Sequence, residues 1–362
     1  MKYSIDRSQD TPAYLQLYRL LREDIVSGVY PYLTKLPSKR TLSEELCIST
    51  VTVEHSLSLL SDEGYIESRE RSGYFVIFKK DSGFLSVGEG EHTRRIVTSV
   101  SITDKSFPFS VLAKRMRAVL SDYGEAILQK SENQGSGILR GAISEYLRRS
   151  RGIAAPPENI VIGSGSEHLY SLAVELFGRD CAYAIESPSY KKIEEVYLAS
   201  GAELERLPLG KDGILSEALA ATCARVLHIS PYRSYPSGVS ASASKRHEYI
   251  GWASSRGAYI IEDDFESEFS VSKKPEDTLY SIDNEGRVIY MNSFSKTIFP
   301  GVRAAYMVLP DNLAKVYRER LGFLSCTVPT FEQLLIAELI SGGDFERHVN
   351  RERRRKRREN GL

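Results

Sequence analysis

The sequence has 362 residues, which is more than a single hydrophobic core normally supports, so two or more domains are expected. Hydrophobic residues make up 41% and charged residues 27%, the balance of an ordinary globular protein. No apolar run approaches the length of a membrane span, and the N-terminus lacks the apolar core of a secretion signal. These features predict a cytoplasmic protein that does not enter a membrane.

The four cysteines, Cys47, Cys181, Cys223 and Cys326, are far apart and form no CxxC pair. This spacing argues against a disulfide framework and against a zinc site. Reduced, buried thiols and no bound metal are therefore expected.

The net charge is zero, but the charges are unevenly distributed. Residues 1–80 carry 11 basic and 11 acidic side chains, whereas residues 347–362 carry 8 basic and 2 acidic ones. A neutral N-terminal segment counts against nucleic-acid binding unless its positive charges lie on one face, because attraction to phosphates dominates non-specific binding.

Residues 12–80 have the pattern of one compact unit, predicted as an N-terminal domain over 1–80. Apolar residues recur at helical spacing from Tyr14 to Val26, and Gly28 ends that helix. Ser38 is predicted to begin a second helix, and a third follows a turn at residues 47–49. The third helix buries Val53, Leu57 and Leu60 and stops at Gly64.

The segment YIESRERSGYFVIF predicts two short strands around a turn at residues 71–73. Three helices followed by a two-stranded wing are the order of a winged helix-turn-helix, whose third helix enters the major groove. The DNA-contacting residues predicted on this basis are Lys39, Arg40, Ser49, Thr50, Thr52, Arg69 and Arg71.

The same pattern predicts where further polar side chains of this unit lie relative to the DNA-binding face. Lys35 is expected to join the cations that face phosphates, and Glu54 and Ser56 to lie on the outward face of the third helix. Glu44, Glu45 and Glu63 are expected away from that face. A winged helix that binds protein instead of DNA is the alternative.

Residues 81–105 show little periodicity and are predicted to be a linker. From Phe107 onwards, helical stretches alternate with apolar segments that have few charges, which favours an α/β domain with a largely parallel sheet. The predicted strands lie in NIVIGSG, CAYAIES, RVLHISP, AYIIEDD, RVIYMNS and AAYMVLP.

The string SFSKTIFPGVR follows one of these strands. A lysine in such a turn forms a Schiff base with an aldehyde cofactor if its amine loses a proton, which makes Lys296 a candidate. Ser293, Ser295 and Arg303 offer hydroxyls and a guanidinium for a phosphate. By itself, such a Ser-Lys string is more often a solvated loop.

Three further strings carry candidate ligands. Asp263 ends a strand in IIEDDFESEF, where a carboxylate can keep a pyridine nitrogen protonated. The loop GSGSEH contains Ser166 and Glu167 and leads into a helix whose N-terminus suits a phosphate. Tyr190 in ESPSY could stack on a flat ring. A solvated acidic loop and a half-buried tyrosine are the alternatives for Asp263 and Tyr190.

The N-terminal unit resembles the GntR superfamily of regulators. The matching residues are Leu36-Pro37-Ser38-Lys39-Arg40, Leu42, Leu46, Ser49-Thr50-Val51-Thr52-Val53, Leu57, Leu60, Glu63-Gly64 and Gly73-Tyr74-Phe75-Val76. Thr50 departs from the pattern, because the family usually has an arginine there.

The body resembles fold-type-I enzymes that use pyridoxal 5'-phosphate (PLP), and the whole chain resembles the MocR branch of the GntR superfamily. The resemblance extends through residues 107–120, 136–153, 230–238, 262–269 and the lysine string. It implies a homodimeric, PLP-binding regulator of promoter DNA, with a small amine or amino acid as an effector class. In this pattern Lys296 forms the Schiff base, Asp263 pairs with the pyridinium, Tyr190 stacks on the ring, and Ser166, Ser293 and Arg303 bind phosphate.

The sequence departs from the branch at several positions. Phe265 replaces a tyrosine that bonds the phenolic oxygen of the cofactor, Glu167 replaces a glutamine near the phosphate, and Arg233 replaces a histidine and could offset the charge of Glu167. Residues 106–345 correspond to the large domain, and 346–362 to the start of the small domain. The arginine that binds a substrate carboxylate belongs to the part of the family pattern beyond residue 362.

Three functional hypotheses follow. The fused N-terminal unit favours a PLP-responsive transcription factor over an enzyme. An active aminotransferase requires the missing arginine, and a transamination assay tests it. A truncated regulator that no longer senses PLP is favoured by Phe265, Glu167 and the early end.

Overall fold

The computed structural model describes residues 3–6, 11–69, 72–78, 107–264, 267–270 and 277–359. The chain divides into two compact units, Met1–Thr98 and Ser99–Leu362, here called the head and the large domain. The predicted linker over 81–105 lies outside the described residues.

The head has the predicted order of three helices and a two-stranded wing. Its elements are α1 (Ala13–Ser27), α2 (Lys39–Leu46), α3 (Thr50–Asp62), β1 (Ile66–Arg69) and β2 (Gly73–Val76).

The boundaries of the head's helices have local causes. Gly28 ends α1 at a φ of 87°, a left-handed conformation that glycine adopts easily. The hydroxyls of Ser38 and Ser49 cap α2 and α3 by accepting hydrogen bonds from backbone amides of the first turn. The apolar faces of the three helices and the wing enclose one core that contains Leu17, Leu21, Leu42, Val53, Leu57 and Leu60.

The large domain is built around an eight-stranded sheet with the order β3-β10-β9-β8-β7-β4-β5-β6. The strands are β3 (Ile160–Gly163), β4 (Ala182–Ser187), β5 (Glu203–Gly210), β6 (Gly213–Ile214), β7 (Val226–Ile229), β8 (Tyr259–Asp263), β9 (Val288–Ser293) and β10 (Ala305–Val308). The neighbours from β5 to β9 are parallel, whereas β10 is antiparallel to both β9 and β3. The predicted largely parallel α/β fold is confirmed.

Helices cover both faces of this sheet. They are α4 (Phe109–Tyr123), α5 (Gly137–Arg151), α6 (Ser166–Phe177), α7 (Lys191–Ala199), α8 (Ser216–Ala221), α9 (Ala243–Arg256), α10 (Leu279–Ile282), α11 (Asp311–Leu321), α12 (Thr330–Ser341) and α13 (Asp344–Glu359). Side chains alternate along a strand, so on β3 Ile160 packs under α5 and α12 while Val161 packs under α6.

The prediction that the cysteines are buried is wrong for two of them. All four are free thiols, but Cys47 and Cys223 are exposed, while Cys181 and Cys326 are half-buried. Cys47 is exposed because it follows α2 in a left-handed turn at the surface. Among the described helices, none is both long and apolar enough to cross a membrane.

Candidate functional site: a cleft at the sheet edge

The carboxyl ends of five strands meet at one edge of the large sheet, because β3, β4, β7, β8 and β9 all run in the same direction. In open α/β sheets this edge is where ligands bind. The loops after these strands enclose a cleft of about 540 Å³. All eight predicted cofactor residues line it: Ser166, Glu167, Tyr190, Asp263, Ser293, Ser295, Lys296 and Arg303.

One corner of the cleft has the chemistry of an anion site. Ser166 is the first residue of α6, where backbone amides lack partners within the helix. The hydroxyl oxygen of Ser295 is buried and has no hydrogen-bond partner among the described residues. A Cβ at Gly165 would lie 2.5 Å from Nη2 of Arg303, so only glycine allows the guanidinium to approach this turn.

Glu167 occupies the same corner and forms two ion pairs. Its Oε2 accepts a hydrogen bond from Nη2 of Arg303 at 2.7 Å, and its Oε1 accepts one from Nζ of Lys192 at 3.2 Å. Partial burial raises the pKa of Glu167, but the bonds from Arg303 and Lys192 outweigh it, so the net pKa is lowered. Arg303 and Lys192 therefore neutralise the charge of Glu167. From the sequence, this role was expected of Arg233, which also lines the cleft.

Asp263 lies in a network of buried polar groups at the floor of the cleft. Its Oδ2 accepts a hydrogen bond from the hydroxyl of Tyr170 at 2.5 Å and lies 3.5 Å from Nε2 of His228. The other ring nitrogen of His228 lies 2.9 Å from the hydroxyl of Tyr197. Burial and the charge of Asp263 raise the pKa of Tyr170 well above its ordinary value, which keeps Tyr170 a donor. The network fixes one carboxylate oxygen of Asp263.

The neighbouring carboxylates belong to the other face of the strand. Side chains alternate along β8, so Glu262 and Asp264 point away from Asp263. Glu262 accepts hydrogen bonds from the backbone amides of Leu279 and Tyr280 at 2.8 and 2.9 Å. Asp264 lies 2.9 Å from the buried guanidinium of Arg151. Burial raises the pKa of Glu262 to about 7. Among the described residues of the acidic run, Asp263 is the carboxylate that lines the cleft.

Several residues of the site were missed in the sequence. Tyr170 lies four residues after Ser166 on α6, so helical spacing placed both on one face and could have indicated it. His228 lies on β7, next to β8 in the sheet, and the order of strands is not readable from sequence. Lys192 lies two residues after Tyr190 in α7. Phe265, which replaces a tyrosine of the family pattern, lies outside the described residues.

In the head, α3 presents Thr50, Val51 and Glu54 to solvent, and Val51 is 72% exposed. The hydroxyl of Ser49 accepts a hydrogen bond from the amide of Thr52 at 3.1 Å and so fixes the start of the helix. The prediction that Ser56 faces outward is wrong. Ser56 is fully buried and donates to the carbonyl oxygen of Tyr14 at 2.7 Å, because it packs against α1.

The cations predicted to contact DNA lie on α2 and the wing. Each of the three described cations forms an ion pair. Lys39 pairs with Glu54. Arg69 pairs with Glu67 at 2.6 Å, and Arg40 pairs with Glu44 at 3.2 Å. The prediction that Glu44 lies elsewhere is therefore wrong: four residues after Arg40, it shares a helical face with it. Glu63 lies apart, accepting a hydrogen bond from the hydroxyl of Tyr18 at 2.6 Å.

Arg71 lies outside the described residues. Lys35 lies beside the wing, where a Cβ at Gly73 would come within 3.1 Å of its Cε.

A winged helix-turn-helix head and an aminotransferase-like large domain define the class of protein. The head matches the family model for bacterial regulatory proteins of the gntR family over residues 13–76. The chain is 32% identical to the uncharacterized HTH-type transcriptional regulator YdeL of Bacillus subtilis, over 99% of this chain and 80% of that protein. It is 30% identical to the probable rhizopine catabolism regulatory protein MocR of Rhizobium meliloti, over 97% of this chain and 76% of that protein. The chain belongs to the MocR branch of the GntR superfamily of transcriptional regulators.

The large domain is also similar to solved aminotransferase structures. LysN, an α-aminoadipate aminotransferase from Thermus thermophilus solved with N-(5'-phosphopyridoxyl)-L-leucine, matches with a TM-score of 0.61 and 28% identity. The match covers 68% of this chain and 64% of LysN. The aminotransferase-like fold expected from the sequence is confirmed.

Proposed function

We propose that this chain is a cytoplasmic transcription regulator that binds promoter DNA through its head and PLP in the cleft of its large domain. One observation carries the PLP assignment: eight residues from four separate segments of the sequence, predicted to lie at the phosphate, the ring or the aldehyde of PLP, line a single cleft. LysN, which has a similar fold, was solved with a phosphopyridoxyl compound.

The anion corner suits the phosphate group of PLP. The buried hydroxyl of Ser295, which has no hydrogen-bond partner in the part of the chain that the structure describes, offers a donor, and the guanidinium of Arg303 offers charge. The amides at the start of α6 and the hydroxyl of Ser166 add further donors. The donor set thus fits the phosphate, although Glu167 competes with it for Arg303.

The rest of the cleft suits the ring and the aldehyde. Asp263 is the carboxylate for the ring nitrogen, and the hydrogen bond from Tyr170 orients it. Tyr190, whose ring contacts that of Tyr235 edge to face at 5.9 Å, offers an aromatic wall. When bound, PLP supplies an electrophilic aldehyde, which no amino-acid side chain provides. Lys296 is the residue that would hold this aldehyde covalently.

The experiment is a titration of the full chain with PLP, followed by borohydride reduction and peptide mapping. We expect a new absorption band and a reduced PLP adduct on Lys296. Lys296→Ala should lose both, whereas Lys315→Ala, which removes a lysine from α11 outside the cleft, should retain them. A label on another lysine would refute the assignment, and no adduct in the wild type would favour a regulator that does not sense PLP.

A further inference from the structure

The first two turns of α3, the part of a recognition helix that contacts base edges, carry an acidic group. Within residues 50–57, all of which are described, Glu54 is the only aspartate, glutamate, lysine or arginine. Its side chain is 60% exposed. His55, the next residue along the chain, stacks on Tyr14 of α1 with ring centroids 4.1 Å apart. Glu54 is thus the charged group that the first two turns of this helix present.

Lys39 holds Glu54 in place from the neighbouring helix. Its Nζ donates to Oε1 of Glu54 and also lies 5.6 Å from the centre of the Tyr74 ring on the wing. The hydrogen bond to Glu54 raises the pKa of Lys39, so the ammonium form persists. Lys39 therefore offsets the repulsion between this carboxylate and DNA phosphates, and it limits the orientations that the side chain adopts.

The second oxygen of Glu54, Oε2, has no donor among the residues that the structure describes. A carboxylate only accepts hydrogen bonds. In the major groove, cytosine presents an amino donor, guanine presents two acceptors, and adenine places an acceptor beside its amino group. A carboxylate at this place favours cytosine and rejects guanine, the base that an arginine would select.

We propose that Glu54, positioned by Lys39, selects cytosine at one base pair of each half-site. This inference rests on the proposed DNA binding and specifies which base the head prefers. It also gives the acidic residue a role in a segment, residues 1–80, that carries equal numbers of basic and acidic side chains.

The test is selection of binding sites by the full chain from a random duplex library at low salt, followed by competition titrations. The wild type should select cytosine at one position per half-site, with about a tenfold loss of affinity for another base. Glu54→Ala should flatten the preference at that position alone. Glu54→Gln should change it from cytosine to adenine, because glutamine pairs with adenine through two hydrogen bonds.

Asp62→Asn is the matched control. It removes the same charge from an exposed position at the C-terminal end of α3 and should keep the cytosine preference. Identical base preferences in the wild type and both Glu54 variants, with binding retained, would overturn the role of Glu54 but leave DNA binding intact. If the wild type binds no duplex at low salt, both this inference and the proposed DNA binding are wrong.

Discussion

The negative charge of Glu167 repels the phosphate group of the proposed ligand, PLP. Its carboxylate lies beside the anion corner and engages Arg303 at 2.7 Å. Its lowered pKa keeps it charged at neutral pH. A phosphate that enters this corner must compete with the carboxylate for the guanidinium, so Glu167 is expected to weaken PLP binding.

We therefore expect Glu167→Gln to tighten PLP binding. Removing the charge releases Arg303 and ends the repulsion, a gain of about 1 kcal/mol or roughly fivefold in Kd for such a partly exposed pair. Absorbance titration measures it. Glu175→Gln, which removes a charge from the same helix as Glu167 and breaks an exposed pair with Arg179, should leave the Kd unchanged. Equal or weaker binding by Glu167→Gln would show that Glu167 does not oppose the phosphate.

At the residue scale, the sequence was informative where a motif has fixed spacing. The lysine string and the glycine loop each contribute neighbouring residues, so their predicted members lie together in the cleft. Tyr170, His228 and Lys192 were missed because their contacts depend on tertiary packing. Ser56 was misplaced because it was assigned to the face of α3 opposite Val53, whereas it lies three residues after Val53 and is buried with it. The buried hydroxyl donates its proton to the carbonyl oxygen of Tyr14.

The elements were predictable where apolar periodicity is strong. The six predicted strands all occur, but β5 and β6 were missed. In β5 the sequence ELERLPLG carries Glu203, Glu205 and Arg206, and Pro208 lacks a backbone donor. Such a strand is tolerated near the edge of the sheet, where β5 has only the two-residue β6 beyond it. Segment 203–210 therefore forms a strand because of its place near the edge of the sheet, and its composition alone does not predict one.

Helix α13 packs against the rest of the large domain through a buried histidine. His348 lies between the rings of Phe107 and Phe269, with centroid distances of 4.8 and 6.3 Å. Its Nδ1 lies 3.1 Å from Nη2 of Arg351, a contact that requires the neutral ring to accept. Burial and the charges of Arg351 and Arg355 lower its pKa to about 4.

Because of this histidine, the free energy of unfolding of the large domain should decrease as the pH is lowered. Above pH 6.5 the ring is neutral in both states, but between about 6.5 and 4 only the unfolded chain takes up a proton, which favours unfolding. We expect the wild type to lose about 1–3 kcal/mol relative to His348→Asn over this range. Denaturant unfolding at several pH values measures the difference.

The comparison with the variant is needed because other buried groups act in the opposite direction. Burial raises the pKa of Glu186, Glu262 and Glu268 to about 7, so their protonation favours the folded state as the pH falls. A stability difference between wild type and His348→Asn that does not change with pH would contradict the role of His348.

Helix α2 and the wing carry the predicted phosphate contacts. The ion pair of Arg40 with Glu44 is exposed and worth little, so a phosphate can replace the carboxylate. Arg40→Gln and Arg69→Gln should each weaken binding to all duplexes and flatten the slope of log K against log salt by about one unit. Titrations of the full chain at several salt concentrations measure this slope.

Arg19→Gln is the control for these titrations, because it removes a charge from the exposed surface of α1. An equal change in slope for this variant would mean that net charge, not the proposed face, governs binding. Thr50 and Thr52 variants should alter the preference among sites, since their side chains lie on the recognition helix.

At the scale of the whole molecule, the large domain exposes several bulky apolar side chains. Phe109 and Leu128 are each 78% exposed and Phe323 is 74% exposed. An apolar side chain that is exposed by itself is common, whereas a contiguous group of them is typical of a surface that binds another protein. We propose a second copy of this chain as the partner of these side chains, because the resemblance to fold-type-I PLP enzymes implies a homodimer.

We therefore expect a homodimer with twice the 40.6 kDa mass of the chain at micromolar concentration, measured by sedimentation. Burial of one large apolar side chain contributes about 1.5–3 kcal/mol, so Phe109→Glu or Leu128→Glu should raise the dimer Kd by at least about tenfold. Val29→Glu makes the same change at a 51% exposed residue of the head and should leave the dimer intact. A wild-type protein that sediments only as a monomer would contradict the dimer, and unchanged assembly of both large-domain variants would place the interface elsewhere.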